Sequence, residues 1–326
     1  MNSRPGSADY FLGGNSSMKA IFYNEYGSAD ILQFDDIPEA AEPGPGEIKI
    51  KVKATSVNPI DWKVRAGYLQ KIFPQEFPVS PGRDGAGVIE SVGSDVTEFK
   101  SGNNVVFVSG RGKGASAEYI ILPTDRISPM PDTLSFSEAA GIPLSGVTSW
   151  IAIAEDAGEL DGRKVLIHAG AGGVGGYAIQ IARHFGAEVS ATCSHANVDF
   201  VESLGASQVI AYDNQDFVEE VSEMDVVFDT MGGDVHKRSY DVLKKGGIMV
   251  CVNAAPFEDQ SKKFGVTTKV IIVKDEGGPL RKLMALTAEG EIKALPVQEF
   301  PAAQAADAHR LSETGHIRGK IVLVFD

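Results

Sequence analysis

The chain has 326 residues, of which 43% are hydrophobic, and this length fits two domains or one large one. Its net charge of −14 argues against nucleic acid or an anionic membrane as a partner, since both attract basic surfaces. Its two cysteines exclude a disulfide scaffold and a four-cysteine zinc site, and with no recognisable secretory signal they favour the cytoplasm.

The N-terminal half contains two regions of different character. Residues 1–17 are rich in Gly, Ser and Asn without hydrophobic periodicity, so we expect an extension outside the fold, either an added leader or a natural flexible arm. From Met18 onwards, short apolar runs alternate with Gly- and Pro-rich turns, which predicts a compact barrel-like β domain. The predicted strands are 19–23, 47–56, 85–92, 104–109 and 117–122.

Near residue 135 the pattern changes to helices and then to strands that alternate with helices. Six such strands predict an α/β fold with a doubly wound parallel sheet of the Rossmann type. The last strand of the chain is expected to return to the sheet of the first domain. The predicted helices are 135–142, 145–155, 280–288 and 302–314, and the predicted strands are 164–169, 188–192, 208–212, 225–229, 248–252, 269–273, 296–300 and 319–325.

A glycine-rich turn between the first strand and helix of this sheet is the most informative motif. Gly170, Gly172 and Gly175 fit the pattern G-x-G-x-x-G. Their missing side chains permit a tight turn, an approach to a pyrophosphate and close packing of helix on strand. The helix start offers free N–H groups to phosphate. We therefore predict a dinucleotide site formed by Gly170, Ala171, Gly172, Gly173, Val174 and Gly175.

The end of the next strand bears on which dinucleotide binds. The segment Cys193–Asn197 lacks the carboxylate that commonly holds the ribose 2′-OH of NAD, and this favours NADP. Ser194, His195 and Asn197 are predicted to donate hydrogen bonds to the 2′-phosphate, and Ser194 also fits a helix N-cap. Since the loop contains neither Arg nor Lys, NAD stays open. Tyr212, after the third strand, is predicted to lie beside the adenine ribose or the 2′-phosphate.

Several segments resemble the medium-chain dehydrogenase/reductase superfamily, in its zinc-free quinone oxidoreductase and enone reductase branch. Residues 56–67 are similar to its segment Asn-Pro-x-Asp-x-x-x-Arg-x-Gly, and residues 81–87 to its turn Pro-Gly-x-Asp-x-x-Gly. Residues 139–150 and 312–320 are also typical of it. The resemblance, which runs from Met18 to Asp326, implies an active site in a cleft between two domains. The two implied domains are a GroES-like, β-barrel-type catalytic domain (18–134 and 276–326) and a Rossmann NADP-binding domain (135–275).

The zinc ligands of related alcohol dehydrogenases are missing. Residues 18–134 contain neither Cys nor His, and Arg83-Asp84 stands where those enzymes carry His-Glu. Asp61 and Asp84 alone do not make a zinc site, so no metal is predicted. Alcohol oxidation without zinc is disfavoured, whereas reduction of an activated C=C bond or a quinone needs only hydride and stabilisation of charge on an oxygen.

Two residues are predicted to be catalytic. The amide of Asn58 would donate to the substrate carbonyl or the nicotinamide ribose, and Lys63 would place a cation near the developing enolate. Some quinone reductases of the branch have Tyr at the position of Lys63, so Lys favours α,β-unsaturated carbonyls, with quinones close behind. The alternatives are a solvated surface lysine and a turn asparagine before Pro59.

Further cofactor contacts are predicted less directly. By resemblance Thr148 lies near the nicotinamide. Since open α/β sheets bind ligands at strand ends, Asn253, which follows the fifth strand, is predicted to contact the nicotinamide side, and Arg318 is predicted to reach the cofactor from the tail. His168 is predicted to be a buried, hydrogen-bonded histidine.

The sixth strand bears on assembly. Residues 268–274 would form an apolar edge strand, and pairing across a two-fold axis would cover it. A homodimer is therefore predicted, as the resemblance also implies. The alternative functions are an NADPH-binding sensor or structural protein with little catalysis, and a zinc alcohol dehydrogenase.

Overall fold

The computed structural model describes residues 16–110, 112–252, 257–273 and 277–326. The strands are β1 (Ser17–Phe22), β2 (Gln33–Pro38), β3 (Glu47–Val57), β4 (Asp84–Val92), β5 (Asn104–Val108), β6 (Tyr119–Pro123), β7 (Ile127–Pro129), β8 (Lys164–Ile167), β9 (Glu188–Cys193), β10 (Gln208–Ala211), β11 (Met224–Asp229), β12 (Leu243–Cys251), β13 (Thr267–Val270), β14 (Val297–Pro301) and β15 (Lys320–Val324). The helices are α1 (Pro59–Arg65), α2 (Phe136–Ala140), α3 (Pro143–Trp150), α4 (Gly173–His184), α5 (Val198–Ser203), α6 (Phe217–Glu220), α7 (Gly233–Ser239), α8 (Ser261–Phe264), α9 (Gly278–Ala288) and α10 (Ala305–Glu313). None of these helices is long and apolar enough to cross a membrane.

The chain forms two compact units. The first comprises the described residues up to Leu144, those of 274–288, and Pro296–Asp326. The second comprises Ser145–Val273 and Glu289–Leu295. The division differs from the sequence-based boundaries at two places, because α2 lies in the first unit and residues 289–295 lie in the second.

The first unit is built on a seven-stranded sheet in the order β14-β15-β3-β4-β5-β7, with β6 also paired to β3, and on the two-stranded sheet β1-β2. β15 pairs antiparallel with β3, so that Val322 lies opposite Ser56. This confirms that the last strand returns to the first sheet. The core includes Ile48, Ile50 and Leu323, all fully buried.

The second unit contains a six-stranded sheet in the order β10-β9-β8-β11-β12-β13. Every pairing in it is parallel. Strand order reverses between β8 and β11, and ligands of doubly wound sheets bind at such a switch point, at the carboxyl ends of the strands. The predicted doubly wound sheet is therefore confirmed. The consecutive apolar residues Val226, Val227 and Phe228 are fully buried, as expected for strands covered on both faces.

Three elements that position functional residues differ from the sequence-based predictions. α1 was not predicted; its first residue is a proline, and the Asp61 carboxylate accepts the Asn58 backbone N–H at 2.8 Å, which is half of a capping box. The predicted helix 145–155 is α3 followed by a π-helical turn at Ile151–Asp156. The predicted edge strand 268–274 is shorter, because β13 ends at Val270 and Lys274 lies outside the described residues.

Candidate active site and cofactor site

A buried polar network surrounds the start of α1 in the first unit. The Asn58 Oδ1 accepts a hydrogen bond from the Lys320 Nζ at 2.5 Å. The Asn58 Nδ2 donates to the Ser56 Oγ at 2.9 Å and to the Asp84 Oδ1 at 3.1 Å. All four residues are buried. Both amide protons of Asn58 are thus directed to protein acceptors, and the side chain fixes the strand β3 to the helix that follows it.

Asp84 accepts three hydrogen bonds in this network. Its Oδ1 also accepts from the Ser56 Oγ at 2.7 Å, and its Oδ2 accepts the backbone N–H of Leu144 at 2.8 Å. Burial raises the pKa of Asp84, and the charge of Lys320 opposes that rise. Burial in turn lowers the pKa of Lys320, opposed by Asp84 and Asp61. The buried ammonium and the buried carboxylate therefore stabilise each other's charged form.

Asp61 is the second carboxylate of this region. Burial, with a smaller contribution from the neighbouring Asp84, raises the pKa of Asp61 to about 7. The hydrogen bond from the Asn58 backbone acts in the opposite direction. Asp61 therefore titrates near neutral pH, and it accepts the hydrogen bond from the Asn58 backbone that caps α1.

Lys63 lies on the same helix in a different environment. It is half-buried, and within the described residues its Nζ has no carboxylate at ion-pair distance. The Nζ lies 5.6 Å from the ring centroid of Trp62, whose ring is 5.9 Å from the exposed Tyr68. Burial lowers the pKa of Lys63. The side chain is thus an unpaired cation beside an aromatic pair.

The glycine-rich turn in the second unit has the geometry that its sequence predicts. A Cβ on Gly175 would lie 2.3 Å from the Ala169 carbonyl oxygen, so helix and strand approach too closely for any side chain there. A Cβ on Gly170 would lie 3.0 Å from the Ile179 Cδ1, whereas at Gly172 the nearest atom would be 3.4 Å away. No side chain caps α4, which begins at Gly173 and continues through Val174. The open space at Gly172 and the uncapped helix start fit a phosphate group.

The fold brings a carboxylate to the loop after β9. The Ser194 Oγ accepts a hydrogen bond from the Asn197 Nδ2 at 3.0 Å, and His195 is exposed. The backbone N–H of His195 donates to both oxygens of Asp213, at 2.9 and 3.1 Å. The segment Cys193–Asn197 itself lacks a carboxylate, as its sequence shows, but the fold places Asp213, which follows the neighbouring strand β10, beside it.

The other predicted cofactor residues lie in both units. Thr148 is buried on α3, and Tyr212 is 54% exposed after β10. Arg318 is exposed in the turn before β15, and Asn253 lies outside the described residues. The structure brings Asn58 close to Lys320, which the sequence analysis missed, because nothing in the sequence marks a strand lysine as buried.

His168 is buried, as predicted. Its Nδ1 lies 3.1 Å from the Thr192 Oγ1 and its Nε2 lies 3.0 Å from the Ser239 Oγ. Burial lowers the pKa of His168 to about 4, so the ring is neutral and structural at neutral pH.

Comparison with known proteins gives the chain a consistent set of relatives. Residues 44–132 match the family model described as alcohol dehydrogenase GroES-like domain, and residues 204–323 match the one described as zinc-binding dehydrogenase. The chloroplast envelope quinone oxidoreductase homolog of Arabidopsis thaliana is 33% identical over 94% of this chain and 98% of its own. The chloroplastic NADPH-dependent alkenal/one oxidoreductase of the same plant is 33% identical over 94% of this chain and 79% of its own. The solved quinone oxidoreductase of Coxiella burnetii has a TM-score of 0.88 and 34% identity, covering 95% of this chain and 100% of that one.

Proposed function

Since the chain belongs to the medium-chain dehydrogenase/reductase superfamily, in its quinone oxidoreductase and enone reductase branch, we propose that it transfers hydride from NADPH to α,β-unsaturated carbonyls or quinones without a metal. The chain is an oxidoreductase that combines a Rossmann unit with a GroES-like catalytic unit. The observation that carries the finer proposal is the half-buried Lys63 ammonium, which has no carboxylate partner among the described residues.

Lys63 is the proposed catalytic residue. Hydride addition to an enone builds negative charge on the carbonyl oxygen, and a nearby fixed cation stabilises that charge. Bound NADPH supplies the hydride itself. Because burial lowers the pKa of Lys63, its ammonium is also a stronger acid than an ordinary lysine and can pass a proton to the oxygen.

Asn58 was predicted to donate to the substrate carbonyl or the nicotinamide ribose. Its two amide protons bind Ser56 and Asp84, so a direct contact requires one of these bonds to open. We therefore propose that Asn58 acts mainly by positioning α1, the helix that carries Lys63. The buried Lys320 supports this role by holding the Asn58 oxygen.

The proposed cofactor site is the backbone of Gly170–Gly175 together with the loop after β9. The space at Gly172 and the uncapped start of α4 support a pyrophosphate there. Ser194, His195, Asn197 and Tyr212 remain the proposed contacts of the adenosine half, and Thr148, Asn253 and Arg318 those of the nicotinamide half. The name of one relative includes NADPH, which favours that cofactor, whereas Asp213 favours NADH.

The zinc implied by one family description does not fit the first unit. Among its described residues there is no cysteine, and the only imidazoles are those of His309 and His316. Asp84 already accepts hydrogen bonds on both oxygens, and the charge of Lys320 lies beside it. A catalytic zinc needs three deprotonated protein ligands and an open position. No step of the proposed reaction therefore involves zinc.

A homodimer through the edge of the parallel sheet is also proposed. β13 is the last strand of that sheet, and Val270 and Ile272 are 49% and 65% exposed. Pairing with a second copy would cover this apolar edge. Light scattering during size-exclusion chromatography should give twice the mass of the chain. The cytoplasmic location also remains a proposal, which a fluorescent fusion would test.

The decisive experiment is an NADPH oxidation assay with a panel of enones and quinones, run on metal-depleted protein. Turnover with enones at least as fast as with quinones supports the proposal. Tight NADPH binding without turnover on the panel would instead favour a sensor or structural protein. Activity that requires stoichiometric zinc and an alcohol substrate would overturn the metal-free reaction.

A further inference from the structure

Three metal-binding side chains converge in the second unit, and none of them has a role assigned above. Asp229 ends β11, Cys251 ends the neighbouring β12, and His236 lies on α7 between them in the chain. All three are at most 1% exposed. One donor atom from each lies within 4.8 Å of the other two.

The geometry differs from that of a catalytic cysteine. The Asp229 Oδ2 lies 2.8 Å from the His236 Nδ1, and the Cys251 Sγ lies 3.7 Å from the same nitrogen. In a nucleophilic triad the thiol and the carboxylate would contact opposite ring nitrogens. Convergence of sulfur, nitrogen and oxygen on one point is instead what a zinc-type site requires, where Zn–S of about 2.3 Å and Zn–N of about 2.0 Å place the two ligand atoms about 3.5 Å apart.

The remaining atoms of these ligands are held by outer partners. The Asp229 Oδ1 accepts the backbone N–H groups of Met231 and Gly232 at 2.8 and 2.9 Å. The His236 Nε2 lies 3.3 Å from the Tyr240 hydroxyl. Such outer contacts orient metal ligands. The His236 Nδ1 itself lies at hydrogen-bond distance from the Asp229 Oδ2, and a bound ion would replace that hydrogen bond.

A cavity lies beside one of the three ligands. His236 lines a cavity of about 460 Å³ together with Gly233, Lys237, Phe257 and Glu258. The cavity therefore borders His236, whereas its lining residues do not include Asp229 or Cys251. The same cavity offers space for a water molecule as a fourth ligand.

We propose that Asp229, His236 and Cys251 bind one divalent transition-metal ion of the zinc type, with water as the fourth ligand. On binding, the Cys251 thiol releases its proton to solvent, and the ion replaces the proton on the His236 Nδ1, so that the neutral ring then carries its proton on Nε2, facing the Tyr240 oxygen. The ion would link the ends of two strands to α7. Its role is structural, since none of its three ligands is a proposed catalytic or cofactor-binding residue.

Cobalt provides the test. Tag-free, chelator-treated and desalted protein is titrated with Co²⁺. We expect one equivalent to bind with a thiolate-to-cobalt charge-transfer band and the strong visible bands of tetrahedral cobalt, and Zn²⁺ should displace it. Cys251→Ser should abolish the charge-transfer band, and both Cys251→Ser and His236→Gln should weaken binding by at least about tenfold.

The matched control is Cys193→Ser, which removes the other buried cysteine, also at a strand end. It should bind cobalt as the unchanged protein does. Circular dichroism establishes that each variant is folded, and Zn²⁺ should raise the Tm of the unchanged protein and of Cys193→Ser but not that of Cys251→Ser. Absence of a charge-transfer band in the unchanged protein, or its persistence in folded Cys251→Ser, would overturn the proposal.

Discussion

The Nζ of Lys320 lies 2.5 Å from the Oδ1 of Asn58, a contact that spans 262 positions of the chain. It joins the first residue of the last strand to the residue that precedes α1. Through Asn58 the lysine is connected to Ser56 and Asp84, so a single buried cation holds together a strand pair, a helix start and a buried carboxylate. The proposed catalytic Lys63 depends on this arrangement for its position.

Removal of the buried cation should destabilise the first unit. Lys320→Met leaves Asp84 buried without its counter-charge, and loss of one partner of a buried pair costs about 3–5 kcal/mol of unfolding free energy. Urea denaturation followed by fluorescence measures the change. The exposed Lys100→Met in the same unit is the control, and equal effects of the two substitutions would contradict the assigned role.

Asp61 should give the protein a characteristic pH dependence. Its pKa rises from 3.8 to about 7 on folding, so the unfolded chain releases the proton first and this contribution to stability is lost as the pH rises towards 7. Asp61→Asn does not titrate but can still accept the Asn58 N–H. Its unfolding free energy relative to the unchanged protein should therefore increase by about 2 kcal/mol between about pH 5.5 and 8. A difference that is constant over this range would show that Asp61 is not protonated in the fold.

Lys63 should be separable from the surface lysines by kinetics. Lys63→Gln is expected to lower the kcat for an enone by about 10²–10³ with little change in the Kd for NADPH, since the cation acts on charge that develops at the substrate oxygen. Lys63→Arg should keep part of the activity and abolish the fall of kcat that deprotonation of Lys63 causes at alkaline pH. The exposed neighbour Lys71→Gln serves as the control. An unchanged kcat in Lys63→Gln would identify Lys63 as a solvated surface residue.

Asp213 should set the preference between the two cofactors. Replacement by Asn retains an acceptor for the His195 N–H but removes a negative charge that would repel a 2′-phosphate. We expect the Kd for NADPH to fall by about five- to tenfold and that for NADH to stay constant, as measured by fluorescence titration. If the affinity for NADH weakens instead, Asp213 binds the ribose hydroxyls and the enzyme uses NADH.

Substitutions at two glycines of the turn should affect stability and nucleotide affinity differently. Gly175→Ala places a Cβ 2.3 Å from the Ala169 oxygen, so α4 must shift, and both the Tm and cofactor affinity should fall. At Gly172 a Cβ would have no contact nearer than 3.4 Å, so Gly172→Ala should retain the Tm. Its added methyl group would occupy the space proposed for the pyrophosphate, so the nucleotide affinity should fall. Thermal denaturation and nucleotide titration of both variants test this. A Gly172→Ala variant with unchanged nucleotide affinity would mean that the phosphates bind elsewhere.

The sequence was most informative where a local pattern determines the structure. Uninterrupted apolar runs such as Val226–Phe228 marked the buried parallel strands, and Gly170, Gly172 and Gly175 marked the turn. α1 was missed because a helix of seven residues that begins with a proline carries little periodicity.

Other features depend on which strands become neighbours. Lys320 meets Asn58 because β15 pairs with β3, and Asp213 meets His195 because β10 lies beside β9. The cluster of Asp229, His236 and Cys251 likewise requires the ends of β11 and β12 to be adjacent. No spacing in the chain indicates these contacts.

The place of β15 between β14 and β3 has a consequence for biosynthesis. A ribosome releases residues 47–57 long before residues 320–324, so the central ladder of the first unit can close only after nearly the whole chain has emerged. The parallel sheet of the second unit contains no strand from the C-terminal segment and can assemble during translation. The second unit can therefore form while the first is still incomplete, and the sheet beside Asn58 and Lys63 must wait for the final strand.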